Sequence, residues 1–421
     1  MTATPEAARL AQRRHLVRTL FAGVALGSTG HMAGITVGAI VAQDLTGSAA
    51  WGGTPAATIV FGAATGSALL SGLMARRGRR IGLIAGYLSA AVGALVATLA
   101  VVVASLPLLL MATFLLGFGN SSNQLARYTA ADLFPLHRRA SALGSVVWGS
   151  TIGAILGPNL VAFAGNAAGG IGLPILAGAY LSAVGFTSVA ALLYALRLRP
   201  EPYQLADVSS RHDPEASVAA GSLRELLARP SIRAALVAMV ISQVVMALVM
   251  TITPLHIREH GGGLEMVGLV LSAHTFGMFA LAPLSGRLTD RFGSPAVILA
   301  GLATLGSGAL LAAGAPADGG WILTSALFLL GFGWNLSFVS GSAMLTHGAS
   351  LAERTRLQGA TDATIWTSAA FASLGSGLIV AAASYTVLGL LGALLVSVPV
   401  LMMLAYRRRL ASVDAAVREA A

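Results

Sequence analysis

Leu115-Leu116-Gly117-Phe118-Gly119 recurs in the second half of the chain as Leu329-Leu330-Gly331-Phe332-Gly333. A second pair keeps nearly the same offset: Ser71 to Gly78, followed by Arg79 and Arg80, matches Gly286 to Gly293. Two matches at almost one offset divide the chain into similar halves running in the same order. Between them, at about 197–230, lies the only long hydrophilic connection, which carries Arg197, Arg199, Glu201, Asp207, Arg211, Asp213 and Glu215. No period of about 20–50 residues is present, so a solenoid is excluded.

The halves are built of apolar segments. Of 421 residues, 56% are hydrophobic and only 10% charged, with a mean hydropathy of +0.80. A soluble domain carries about 25% charged residues, and a disordered chain needs low hydrophobicity. A bilayer core takes about 20 apolar residues per helix. Such windows fall at about 18–42, 52–74, 81–103, 106–130, 142–164 and 171–196. They resume at about 231–257, 264–287, 294–315, 320–345, 358–382 and 385–406. The reading is an all-α membrane protein with twelve transmembrane helices in two pseudo-symmetric six-helix bundles. The N-terminal bundle is residues 1–196, the central loop 197–230 and the C-terminal bundle 231–421. Arg13, Arg14 and Arg18 before the first apolar run mimic a signal peptide, but the run is long and many spans follow, so it is read as an uncleaved first helix.

All 26 basic residues are arginine and the net charge is +10. On a soluble protein that would suggest nucleic acid; here the placement says otherwise. The N-terminal tail, the 2–3, 4–5, 8–9 and 10–11 loops, the central loop and the C-terminal tail hold nearly all the arginines, and these lie on one side of a twelve-span chain. The other side has Arg258 alone. The positive-inside rule then puts both termini and the central loop in the cytoplasm, in a bacterial-type inner (plasma) membrane. Cysteine is absent, which excludes disulfides and Cys-ligated metal.

Gly286-Arg287-Leu288-Thr289-Asp290-Arg291-Phe292-Gly293 resembles the loop 8–9 signature G-x-x-x-D-R-x-G of the major facilitator superfamily. The first-half copy, Ser71-Gly72-Leu73-Met74-Ala75-Arg76-Arg77-Gly78, lacks the acid. Gly149, Gly153, Gly157 and Pro158 in span 5 are similar to the G-x-x-x-G-P signature of that superfamily's twelve-helix drug–proton antiporters. The span 4 arginine of many proton-coupled relatives is missing, with Thr113 near its place. The resemblance implies alternating access, spans 1, 4, 7 and 10 lining a central cavity, and arginine-rich loops that latch the cytoplasmic side. It assigns gating to the loop residues Arg76, Arg77, Asp290 and Arg291; by position, Arg127 is read as a gate partner or an anion contact, and Asp132 and Asp362 as further gating residues. Asp362 is expected to supply the acid missing from loop 2–3 by pairing with Arg76, Arg77 or Arg127.

Read from the residues, glycines four apart stack bare surface on one helix face and admit another backbone closely. In span 5 this gives either a seam for sliding against the other half or plain close packing. Polar groups at bilayer depth face the bundle interior. At a rise of about 1.5 Å per residue, the midpoints of spans 1, 4, 7 and 10 fall near His31, Asn120, Gln243, and Trp334 with Asn335. Asn123, Gln124 and Arg127 follow on span 4. No carboxylate sits near a midplane, so His31 and His274 are the titratable groups there, each either a coupling site or a structural hydrogen bond. His256-Ile257-Arg258-Glu259-His260 matches H-x-x-E-H, but without a third acidic ligand it fails as a zinc peptidase signature. No phosphate loop, nucleophile elbow or nicotinamide-binding unit is present.

These readings point to a monomeric, non-enzymatic secondary transporter that needs no cofactor or metal and binds no nucleic acid. Its partners are a small-molecule substrate, the lipid bilayer and protons as coupling ion. The substrate is a small, largely apolar or weakly polar organic molecule, exported by proton antiport. Solute uptake or facilitative uniport, metal-ion export through His256 and His260, and a non-transporting membrane receptor are the alternatives.

Overall fold

The computed structural model describes residues 5–134, 136–205, 223–316, 320–346 and 351–420. Among them every regular element is a helix, as lipid demands of a spanning chain that cannot hydrogen-bond its backbone to water. In order these are α1 (Pro5–Thr46), α2 (Thr54–Arg77), α3 (Arg79–Val102), α4 (Leu106–Asp132), α5 (Leu136–Gly170) and α6 (Ala177–Arg197). Then come the short α7 (Leu223–Ala228), α8 (Pro230–Glu259), α9 (Leu264–Phe279), α10 (Ala282–Phe292), α11 (Ser294–Gly314), α12 (Trp321–Thr346), α13 (Leu351–Ala382) and α14 (Tyr385–Ala420). Among the described residues eleven helical spans are long and apolar enough to cross a membrane. The twelfth by position is α4, whose Asn120 to Gln124 run lowers its hydropathy.

Several helices outrun their apolar windows. α1 begins at Pro5 and α5 at Leu136, because hydropathy marks where lipid ends, whereas a helix continues while its backbone bonds do. Span 8, expected as one segment at 264–287, is two helices, α9 and α10. Pro283, at the start of α10, has no N–H to offer the preceding turn. The break leaves carbonyls free, and Met278 O receives the Asn335 side-chain amide at 2.5 Å.

The chain divides into two compact units: Met1–His212 with Ile257–Ser272, and Asp213–His256 with Ala273–Ala421. In the first, α1 packs on α5 and α6, α3 on α4 and α6, and α2 on α4. Two buried clusters make its core, one around Val37, Leu109, Leu116 and Tyr180, the other around Leu20, Leu83, Tyr87 and Tyr194. The Tyr87 hydroxyl, with one proton to give, lies 3.1 Å from Gly23 O and 2.7 Å from Asn123 Oδ1. Tyr194 donates to Leu20 O at 3.0 Å. Both phenols thus fasten α1 from neighbouring helices. In the second unit α11 packs on α12 and α14, and α10 on α12.

The internal repeat is a repeat of close approaches. A Cβ on Gly117 would lie 2.3 Å from Ile59 O on α2, and one on Gly331 would lie 2.2 Å from His274 O on α9. The turns repeat as well: Gly78 has φ 95 and Gly293 φ 79, values glycine adopts without steric cost.

Candidate functional site

The polar residues expected at mid-depth are present, and several are already engaged. In the second unit Trp334 Nε1 on α12 donates to Gln243 Oε1 on α8 at 2.8 Å. The Trp334 ring stacks on Phe338, with centroids 4.6 Å apart, and meets the Phe279 ring edge-on at 6.2 Å. One amide and three aromatic rings therefore form a single group. Asn335 is committed to the span 8 break, donating to Met278 O and accepting from Ser285 Oγ. His274 is fully buried; its Nδ1 lies 2.8 Å from Leu327 O, and its Nε2 has no partner.

In the first unit His31 is buried with Nδ1 unpartnered, and the hydroxyl of buried Tyr180 is unpartnered too. Asn123 is taken by Tyr87. Ser121 and Ser122 bond across to Ala63 O on α2 at 2.7 Å and Leu83 O on α3 at 3.1 Å, which ties α4 to both. Asn120 and Gln124 stay partly accessible. The three span 5 glycines face α1: a Cβ on Gly149 would lie 2.7 Å from Phe21 O, on Gly153 2.4 Å from Ser28 Cβ, and on Gly157 2.7 Å from Thr29 O. Pro158 follows inside the same helix.

At the arginine-rich end, Asp132 is paired with Arg79 at 2.7 Å. Glu201, absent from the expected gating set, lies over the start of α3, its Oε1 accepting from Arg79 N at 2.6 Å and Arg80 N at 3.3 Å. A carboxylate there meets the positive end of the helix dipole. The same stretch of linker is held further by Arg13 Nε to Leu205 O at 3.3 Å, and His15 Nε2 lies 2.9 Å from Arg197 O. Arg76 and Arg77 are exposed. Arg127 reaches the Tyr128 hydroxyl at 3.1 Å. In the second unit Asp290 is exposed and Arg291 lies over the Phe292 ring at 5.2 Å; Asp362 is half-buried on α13.

At the opposite helix ends, within the first unit, Arg258 pairs with Asp44 at 3.1 Å and Gln43 donates to Glu259 at 2.5 Å. Asn159 donates to Ser272 Oγ at 2.6 Å. The H-x-x-E-H stretch is thereby used for other contacts. His256 stacks on Tyr385 with centroids 4.0 Å apart, and Glu259 is held by Gln43. No group of three or more His, Cys, Asp or Glu among the described residues could hold a metal ion.

Glu201, Tyr87, Tyr194 and Asp44 were not singled out by sequence reasoning. The one available signal was for Glu201, an acid between Pro200 and Pro202 at the start of the linker.

The model of the Major Facilitator Superfamily matches residues 19–264 and 235–420. Relatives include the uncharacterized MFS-type transporter YddS of Bacillus subtilis (strain 168), 35% identical over 394 residues, 93% of this chain and 89% of that protein. The riboflavin transporter RfnT of Brucella anthropi is 31% identical over 368 residues, 87% of this chain and 89% of that protein. Among solved structures, a bacterial homolog of the human lysosomal transporter Spinster, inward-facing and unoccupied, superposes with a TM-score of 0.69 at 16% identity, covering 96% of this chain and 93% of that one. The nucleoside transporter NupG gives 0.67 at 16% identity, with 94% and 98% covered. At that identity the likeness is one of fold.

Proposed function

The chain belongs to the Major Facilitator Superfamily, and we propose that it exports a small, planar, weakly polar organic solute in exchange for protons, by alternating access. It is a multi-pass membrane transporter and not an enzyme. The observation that carries proton coupling is His274. With Nδ1 against Leu327 O, its Nε2 is a buried nitrogen with nothing bound to it, in a chain whose spans offer no midplane carboxylate. Histidine is the side chain that gains and loses a proton near neutral pH, and an ionisable group at bilayer depth marks ion or substrate pathways. His31, with its own unpartnered nitrogen, is the second candidate.

The solute class rests on the Gln243–Trp334–Phe338–Phe279 group. Aromatic faces suit flat rings, and the N–H groups of the Gln243 amide, whose oxygen is the atom Trp334 uses, suit a carbonyl or ring nitrogen. A riboflavin transporter among the relatives supports a heteroaromatic solute. The proposed orientation, both termini cytoplasmic in a bacterial-type inner membrane, follows the arginine belt. Arg76, Arg77, Arg127, Asp132, Asp290, Arg291 and Asp362 are the proposed inner gate, and the unit of transport is the monomer.

Reconstituted proteoliposomes test this with riboflavin and a panel of planar heterocycles under an imposed pH gradient. Proton antiport requires accumulation against the solute gradient, collapsing on addition of a protonophore. His274→Gln should keep solute counterflow while gradient-driven accumulation falls at least tenfold. Flux indifferent to the pH gradient would replace antiport by uniport, and accumulation driven by the opposite gradient would make the carrier a symporter.

A further inference from the structure

The Asp44–Arg258 pair does more than join two helix ends. It borders a cavity of about 340 Å³ in the first unit, whose other walls include Val41, Leu45, Val101 and Ile175. That volume is at the small end of ligand pockets. Its walls are the ends of α1, α3 and the segment before α6, on the side opposite the arginine-rich loops, and Ile175 is 53% exposed. An apolar trough open at a helix end, with one positive and one negative group at its rim, matches a molecule that is apolar at one end and zwitterionic at the other.

We propose that this cavity binds the headgroup of a zwitterionic phospholipid bearing a primary ammonium, phosphatidylethanolamine being the chemistry that fits. Arg258 would hold the phosphate and Asp44 the ammonium, with the first carbons of an acyl chain along Val41, Leu45 and Ile175. The existing pair leaves capacity for both contacts. A guanidinium has five N–H donors and a carboxylate about four acceptor positions, and the pair is joined through Arg258 Nη2 and Asp44 Oδ2. Both side chains are less than half exposed, at 41% and 45%, so each is reachable from the cavity while screened from bulk water on one side. Glu259, the other nearby acid, accepts from Gln43 and does not line the cavity. A trimethylated headgroup cannot donate hydrogen bonds to Asp44, and an anionic glycerol headgroup offers it no cation, so the site discriminates against both.

The test uses the full-length detergent-purified protein in native mass spectrometry, with palmitoyl-oleoyl phosphatidylethanolamine, phosphatidylcholine and phosphatidylglycerol added at equal concentration. Retention of phosphatidylethanolamine at least tenfold above the other two is expected, and Asp44→Asn and Arg258→Gln should each remove that preference. Should either variant fail to fold, Ile175→Trp fills the trough from an exposed position, keeps the ion pair, and should also abolish retention. Equal retention of the three lipids, or an undiminished preference in all folded variants, overturns the proposal. Glycerophosphoethanolamine, which has no acyl chains, is the arm that separates lipid from free solute. Competition by it at the affinity of the intact lipid would make this a solute site and overturn the lipid assignment.

Discussion

Two turns built from the same repeated sequence make an internal control. Gly78 joins α2 to α3 and Gly293 joins α10 to α11, with nearly the same backbone angles. Around Gly293 the acid is local: Asp290 lies just before the glycine on the same helix and is exposed. Around Gly78 no acid is local, yet the start of α3 carries two. Asp132 comes from the end of α4 and Glu201 from the linker. A carboxyl on the Gly78 turn is therefore replaced in space without being replaced in sequence. Charge requirements at a helix N-terminus are met by whatever segment passes within reach. Steric requirements have no such substitute, since only the residue itself can be small.

That difference orders the expected effects. The largest belong to the buried glycines. Gly117→Val and Gly331→Val each drive a side chain into backbone atoms, Ile59 O in one half and His274 O in the other, where no flexible neighbour can yield. Each should cost ~3 kcal/mol or more, the upper end of overpacking, and eliminate monodisperse protein in size-exclusion chromatography. Gly72→Ala and Gly286→Ala, one in each loop copy and each with nothing within 4 Å of the added carbon, should leave the elution profile and thermal midpoint unchanged. A tolerated Gly331→Val beside a lethal Gly117→Val would break the equivalence of the halves.

Next in size is a pair of asparagines just beyond the repeated segment, Asn120 directly after it and Asn335 one residue further on. Asn335 fills a carbonyl freed by the span 8 break, whereas α2 runs unbroken through the matching region and Asn120 makes no side-chain hydrogen bond among the described residues. Asn335→Ala should lower stability by about 1–3 kcal/mol, the cost of orphaning a buried acceptor, read as a fall in thermal midpoint. Asn120→Ala should leave the midpoint in place and, as a residue of the proposed substrate cavity, raise KM for solute. Equal destabilisation by both would mean that Asn120 also has a structural partner.

These asparagines also mark what could be read from sequence. Span number, the duplication, the glycine turns and the depth of each polar residue follow from hydropathy, spacing and rise per residue, all local quantities. Which polar residues the fold has already consumed does not. Tyr87 taking Asn123, Trp334 taking Gln243 and the freed Met278 carbonyl taking Asn335 depend on helix rotation and on a break that Pro283 only hints at. The span 5 glycines are similar: their spacing announces a close neighbour, but nothing in the spacing says that the neighbour is α1. Glu201 is marked in the sequence only by its flanking prolines, and nothing local says that it acts on a residue 122 positions away.

The smallest effects test the borrowed acids. Glu201→Ala removes a capping carboxylate from the N-terminus of α3 and should cost about 1 kcal/mol, as loss of a cap does. Glu201→Gln keeps an acceptor oxygen but not the charge, so it should recover part of that loss, the remainder shrinking as salt screens the dipole. Arg79 and Asp132, each about one-third exposed, should couple by only about 0.2–1 kcal/mol in a double-mutant cycle, as surface ion pairs do. Asp290→Ala, removing the exposed local acid of the other turn, should change stability by less than Glu201→Ala in the same assay. If Asp290→Ala proves the more costly, the local acid is the structural one, and Glu201 is a bystander to a turn that needs no carboxylate.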